Sequence, residues 1–452
     1  MRAWPLWALL AVGCTGPIVE GQETGARARR PPNVIVVFTD DQGYGDLASA
    51  GHPTLRTPHI DALARGGVRM TQFYVGSPVC SPSRAALLTG CYPKRVGMED
   101  HVVFPPDRHG LHPDETTLAE VLRARGYATG CFGKWHLGHR KGLLPTDQGF
   151  DVFEGVPYSN DMAQFHRREG NGYGFRLPWM RGEEVVEWEP DQRLLTRRTT
   201  DAALAFLRAN ADRPFFLYVP YSMPHVPLFA SDGFRGRSAA GLYGDVIEEL
   251  DAAVGELVDA VEDEGLADDT VILFASDNGP WLTQGAHGGS AGPLRGGKGT
   301  TWEGGLRVPA ILHAPGRLPV GTRYPGIATA MDLLPTLAAM TGAELPARKV
   351  DGINLLPALR GEPDARPRTE FLYYTSRGAL AGIRVGAWKL HLDSGELYHL
   401  EHDIGERRDR AARQPEQVAA LRAAALQADA RISAEARPPG RSTQPVFDPR
   451  KD

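Results

Sequence analysis

The chain has 452 residues, 42% hydrophobic and 23% charged, a balance that excludes a mostly disordered or membrane-embedded protein. The length allows one large α/β domain with a smaller companion, or two to three domains. A formal net charge of −5 argues against general nucleic-acid binding, which requires a basic face; a local cationic pocket stays open. Only seven of the 50 basic residues are lysines, and two of these, Lys134 and Lys298, directly follow glycine.

Arg2 followed by an apolar stretch from Trp4 to Gly13 predicts an export signal, assigned to residues 1–22 and too short to span a bilayer. The run Ala11-Val12-Gly13-Cys14 resembles a bacterial lipoprotein processing site, with Ala11 where leucine is usual. Lipidation of Cys14, ordinary signal cleavage and an uncleaved tail all stay open. No Asn-x-Ser/Thr sequon occurs. That favours a bacterial periplasm, outer envelope or extracellular setting over a glycosylated lysosomal one, with any membrane attachment made only through a lipid on Cys14. Beyond this segment only Cys80, Cys91 and Cys131 remain, too few for a disulfide framework. Cys91 and Cys131 either pair or, more simply, are two small, partly buried thiols.

Residues 15–32 read as a linker. The continuous β-branched run at 33–38 predicts a strand buried on both faces, and Thr57-Pro58 opens a helix. Helices are expected over 114–125, 199–210 and 243–264, and strands over 127–132, 215–219 and 271–275. Strands separated by helices predict an α/β fold, a large, mostly parallel (mixed) sheet sandwiched by helices, occupying 33–365. Beyond 365 the rhythm changes to short strands at 371–374, 380–385, 388–392 and 396–400, divided by Gly or Asp turns. With a helix from 415 to about 436, these predict a small C-terminal domain with an antiparallel sheet over 366–436. The Pro- and Arg-rich tail, 437–452, is expected to be loosely held.

Two buried strands end alike, in Asp40-Asp41 and in Asp277-Asn278. Carboxyl ends of parallel strands share one edge, where ligands bind, so these four residues converge on a hard oxygen site suited to Ca²⁺ or Mg²⁺. Taken singly, each pattern is also an ordinary turn or cap. Between them lies Cys80-Ser-Pro-Ser-Arg84. Pro82 suits a first helical turn and Gly90 a helix end, which places Cys80 at a helix N-terminus that favours negative charge. Arg84 follows one turn on, on the same face.

Cys80-Ser-Pro-Ser-Arg84 with Leu-Leu-Thr-Gly90 resembles the signature of the formylglycine-dependent sulfatases, and Gly126-Tyr-Ala-Thr-Gly-Cys-Phe-Gly-Lys134-Trp-His136 resembles their second signature, with Phe132 where a smaller residue is usual. Gly43-Tyr-Gly-Asp-Leu, Gly296-Gly-Lys298-Gly-Thr-Thr and Glu303-Gly-Gly are closest to the branch of arylsulfatase A and N-acetylgalactosamine-6-sulfatase. The resemblance implies hydrolysis of sulfate monoesters with one divalent cation, calcium before magnesium. It also implies oxidation of Cys80 to formylglycine by a dedicated maturation enzyme. A hydrated aldehyde carries two hydroxyls, one to attack sulfur and one whose deprotonation expels sulfate. It implies the metal set Asp40, Asp41, Cys80, Asp277 and Asn278, and a catalytic set of Cys80, Arg84, Lys134, His136, Ser159, His225 and Lys298. Lys134, His225 and Lys298 would hold the sulfate, Lys298 and His225 would serve the leaving oxygen, and His136 would act as base. Lys134 and His136, two apart, face the same way if the segment is extended.

A phosphatase or phosphonate monoester hydrolase of the same superfamily is the nearest rival, and an unmatured binding protein the second. The substrate expected is a sulfated glycan or small sulfate ester. The stretch 161–189, with Phe165, Tyr173, Trp179, Trp188, Arg167 and Arg168, either stacks on a sugar or is an irregular insertion.

Overall fold

The computed structural model of the protein describes Met1 and residues 30–163 and 174–450. Contacts separate two units, Met1–Arg30 and Pro31–Asp452; the sheets and helices of the described residues, and the site, lie in the second. The run at 33–38 forms β1 (Asn33–Thr39), with all seven residues buried. Val34, Val36 and Phe38 join one apolar cluster, whereas Ile35 and Val37 join another on the opposite face. A strand apolar on both sides escapes water only inside a sheet covered by two layers.

A ten-stranded sheet surrounds it. The other strands are β2 (Val68–Met70), β3 (Ala128–Lys134), β4 (Val152–Val156), β5 (Pro178–Arg181), β6 (Glu184–Trp188), β7 (Phe215–Pro220), β8 (Thr270–Ser276), β9 (Ala310–His313) and β10 (Thr322–Tyr324). Their spatial order is β10-β2-β9-β8-β1-β7-β3-β4-β5-β6. The five central strands, β8 to β4, are parallel; β9 and β5 run antiparallel to them. One face is covered by α1 (Pro58–Gly66), α4 (Leu195–Ala209) and α5 (Gly241–Asp263), whose apolar residues share a cluster with Ile35 and Val37. The other carries α2 (Cys80–Thr89), α3 (Leu118–Ala124) and a second sheet. That sheet is an antiparallel meander of β11 (Glu370–Tyr374), β12 (Leu380–Val385), β13 (Trp388–His391) and β14 (Leu397–His399). The helix Pro415–Ala434 packs against it through residues such as Leu421 and Ala425.

Three expectations are corrected. The helix expected from 114 begins at Leu118, because Thr117 and Glu120 close a capping box there while Glu115, upstream, is buried against Arg437. The strand expected to stop at 132 continues to Lys134. The tail is not loose. Gly440–Arg441 pairs antiparallel with His109–Gly110, and the Phe447 ring packs 5.9 Å from His139 and 5.7 Å from Trp188. Its Pro- and Arg-rich composition conceals one aromatic anchor and one half-buried ion pair, Arg437 with Glu115, and these help hold it.

Candidate active site

Each of the five parallel strands delivers a polar residue to one edge. β1 runs into Asp40 and Asp41, β8 into Asp277 and Asn278, and β3 ends on Lys134; Ser159 follows β4 and His225 follows β7. The register Thr39↔Ser276 sets the two acidic ends side by side. Asp277 N donates to Thr39 O at 2.9 Å, and Asp41 N to Asp277 Oδ1 at 3.1 Å. Successive strand residues point to opposite faces, so two adjacent aspartates converge only if the chain turns between them. Asp41 adopts φ 64°, the left-handed region that Asp tolerates better than most residues. Gly43 completes the turn: a Cβ there would lie 2.1 Å from Ser290 O.

Cys80 is the first residue of α2, preceded by Val79, which gives no side-chain cap. The helix therefore presents free amides and its positive end to the site. Ligand atoms of Asp40, Asp41, Cys80 and His225 lie within 4.8 Å of one another, all buried. Cys80 Sγ is 3.5 Å from Asp40 Oδ1 and 3.7 Å from Lys298 Nζ. Asn278 Nδ2 donates to Asp41 Oδ1 at 2.7 Å, which leaves its buried Oδ1 without a hydrogen-bond partner among the described residues. An orphaned amide oxygen beside three carboxylates is a donor set that fits a hard cation.

Three cations surround the carboxylates. Arg84 Nε and Nη2 donate to Asp277 Oδ2 at 3.0 and 2.7 Å, and Nη1 donates to Lys134 O at 2.9 Å. Lys134 Nζ donates to Asp40 Oδ2 and, at 3.0 Å, to Ser159 Oγ. Lys298 Nζ donates to Asp41 Oδ2 at 2.8 Å. Burial alone would raise the Asp40 carboxyl; Lys134, His225, Arg84 and Lys298 overcome it and hold the group well below the usual range. Burial, with Asp40 beside it, pushes the Cys80 thiol up. Burial and the cations Lys134 and Arg84 push His136 down, so its imidazole is neutral. His136 Nε2 lies 3.1 Å from Val103 O. A carbonyl only accepts, so the proton sits on Nε2 and Nδ1 is free as an acceptor; it has no partner among the described residues.

All eleven candidate residues therefore gather in this one region, but two details differ from expectation. The 134–136 segment is not extended, since His136 takes φ 61°. Lys134 instead meets Asp40 deep in the site, and His136 lines the cavity beside Cys80. Trp179, read as either a sugar platform or part of an irregular insertion, is 1% exposed; its Nε1 donates to Glu154 at 3.0 Å and Arg198 stacks 4.3 Å over its ring, which makes it a core residue. Trp188 lies under Arg176 and Phe447. Phe165, Arg167, Arg168 and Tyr173 lie outside the described residues, as does the expected signal with Cys14. Cys91 and Cys131 are separate thiols, as in the simpler reading, and both are fully rather than partly buried.

A cavity of about 270 Å³ opens above Cys80, lined by His136, Ser159, His225 and Lys298 and walled by Trp281 and His101. Neither wall residue was singled out from the sequence. Lys298 Nζ sits 4.4 Å over the Trp281 ring, and His225 packs edge-on at 5.5 Å. Trp281 carried a usable signal, an aromatic three residues past the Asp277-Asn278 strand end; His101 carried none.

The fold and site define an α/β enzyme with a buried cluster of carboxylates and cations at the ends of its parallel strands. A family model described as Sulfatase matches residues 32–343, and the chain belongs to the sulfatase family, enzymes that hydrolyse sulfate esters. Arylsulfatase A of Homo sapiens is 43% identical over 387 residues, covering 81% of this chain and 76% of that protein. N-acetylgalactosamine-6-sulfatase of Canis lupus familiaris is 37% identical over 387 residues, covering 81% and 72%. Among solved structures, Ps i-CgsB in complex with k-i-k-neocarrahexaose is similar with a TM-score of 0.80 at 29% identity, over 92% of this chain and 96% of that one.

Proposed function

We propose that the chain cleaves sulfate monoesters with a formylglycine made from Cys80 by a maturation enzyme, beside one hard divalent cation held by Asp40, Asp41, Asp277, Asn278 and residue 80. The observation that carries this is the orphaned Asn278 Oδ1 beside three carboxylates, at the helix N-terminus that begins with Cys80. Calcium is the first choice and magnesium the second, because the donors are all hard oxygens. When bound, the cation lowers the pKa of a coordinated hydroxyl and neutralises sulfuryl oxygens, and the hydrated aldehyde supplies that hydroxyl.

The chain's own groups do the rest. Lys134, steadied by Ser159, binds a sulfuryl oxygen; His136 Nδ1 accepts a proton from residue 80. His225 and Lys298 face the leaving oxygen, where Lys298 offers a proton and positive charge as negative charge develops. Arg84 fixes Asp277 and the Lys134 backbone. The cavity suits about one sugar ring, and relatives and neighbours bear the names of an N-acetylgalactosamine-6-sulfatase and a neocarrahexaose complex; a sulfated glycan or a small sulfate ester is the substrate class. The apolar stretch and Cys14 support export to a bacterial envelope, with a lipid on Cys14 as one route to a membrane. No helix among the described residues is long and apolar enough to cross one.

The test is a desulfation screen over sulfated glycans, small sulfate esters and phosphonate monoesters, using protein produced with its maturation enzyme. Release of sulfate, together with a hydrazide-reactive aldehyde at residue 80 in peptide mass spectra, is the result expected. Full activity with an unmodified Cys80, or preference for phosphonates, would sink the reading.

A further inference from the structure

Outside the site, a second cluster of charges is fully buried between the C-terminal antiparallel sheet and the segment 295–303. Lys389 on β13 places Nζ 3.1 Å from Glu303 Oε1, 2.7 Å from Glu406 Oε1 and 2.9 Å from Thr301 O. All three side chains are 0% exposed. Glu406 Oε2 accepts from Glu303 N at 2.8 Å, His391 Nε2 lies 3.0 Å from Glu406 Oε1, and Arg295 Nη1 donates to Glu406 O at 2.9 Å. Tyr74 and Tyr373 hydroxyls donate to Glu303 at 2.5 and 2.7 Å.

These contacts share one target. Arg295, Thr301 and Glu303 belong to the loop that carries Lys298, and Gly304 N closes that loop on Arg295 O at 2.8 Å. The loop's middle is fastened separately, by Lys298 N to Pro280 O and Gly299 N to Pro78 O, each at 2.9 Å. Lys298 has four flexible carbons, so where its ammonium arrives depends on where this backbone is held. Well-packed apolar side chains often stabilise a core as well as a buried ion cluster does, so a cluster of this kind is weak evidence for stability alone. Glu406 also takes φ 51°, a conformation that persists only where its surroundings over-determine it.

We infer that Lys389, Glu406 and Glu303 form a positioning device through which the C-terminal sheet sets the place of Lys298 at the leaving oxygen; the inference rests on the sulfatase reading above. Lys389→Met should then weaken help to the leaving group rather than activity in general. The cost should grow as the alcohol becomes a poorer leaving group, from about tenfold on an activated aryl sulfate to about a hundredfold on an alkyl sulfate. In a Lys298→Ala background the same substitution should add less than about threefold, because residues acting as a unit are non-additive. Calorimetric binding of inorganic sulfate should weaken in parallel.

Glu406→Gln, nearly isosteric, provides the same measurements if Lys389→Met does not fold, and melting curves establish folding for each. Equal losses across all leaving groups, or losses that multiply fully with Lys298→Ala, would overturn the inference and leave the sulfatase reading intact. A wild-type chain that releases no sulfate from any ester would overturn that reading and this inference with it.

Discussion

Three carboxylates, Asp40, Asp41 and Asp277, face three cations, Arg84, Lys134 and Lys298, at the buried floor of the cavity. In such a place an unpaired charge costs several kcal/mol, so the pairing keeps the site foldable with no ion bound. A divalent cation would then leave a positive surplus matched to sulfuryl oxygens. Asn278 is the residue whose role is hardest to explain otherwise, since its Oδ1 has no other partner among the described residues. Asn278→Ala is expected to weaken calcium affinity by about tenfold or more while the melting temperature of the ion-free protein falls little, as calorimetry and thermal scans would read. Unchanged affinity would remove Asn278 from the metal set. Cys80→Ser keeps one hydroxyl at residue 80. It should make the first transfer slowly and stall as a sulfate ester, whereas Cys80→Ala should be inactive and unlabelled. Intact-mass measurement after incubation with a reactive aryl sulfate decides this; a serine variant that turns over repeatedly would contradict the need for a second hydroxyl.

At the scale of elements, the strand ends are where sequence and site meet. β1 and β8 were legible because β-branched runs without a polar face fit only a doubly covered strand, and their shared acidic endings pointed to one edge. The α2 N-terminus was legible from Pro82 and Gly90. His136 was legible as a site residue but not in its φ of 61°, which local pattern does not encode for histidine. The Lys389 cluster was invisible, because Lys389 stands 86 residues from Glu303 in the chain, and Glu303 stands 103 from Glu406. Trp179 stayed open between two readings for a physical reason. An aromatic beside arginines reads equally as a sugar platform or as a core ring covered by a guanidinium, and only burial separates the two. Trp179→Ala is therefore expected to cost about 3–5 kcal/mol of stability while leaving the ratio of glycan to aryl sulfate turnover within about twofold. A selective loss on the glycan would restore the platform reading.

At the scale of the whole molecule, Asp46 ties three parts of the fold together behind the site. Its carboxylate accepts from Gly43 N at 2.7 Å in the turn after β1, from Ser290 N at 2.8 Å, and from the Tyr243 hydroxyl of α5 at 2.6 Å. Burial outweighs these three donors and pushes its pKa up to about 7 from an ordinary 3.8. Between those values the folded chain holds a proton that the unfolded chain has lost. The Asp46 contribution is thus fully present below about pH 4 and declines as pH rises toward 7, by at most about 1.4 kcal/mol per pH unit. His139 acts in the opposite direction: burial lowers it to about 4, so its contribution is lost as pH falls below about 6.5. The slope of the wild-type curve mixes the two, and the difference from Asp46→Asn isolates one. Urea unfolding at saturating calcium should find the variant less stable than wild type at pH 5, with the gap narrowing by about 1–3 kcal/mol at pH 7.5. A gap that stays constant across that range would mean that the three donors keep Asp46 ionised in the folded protein throughout.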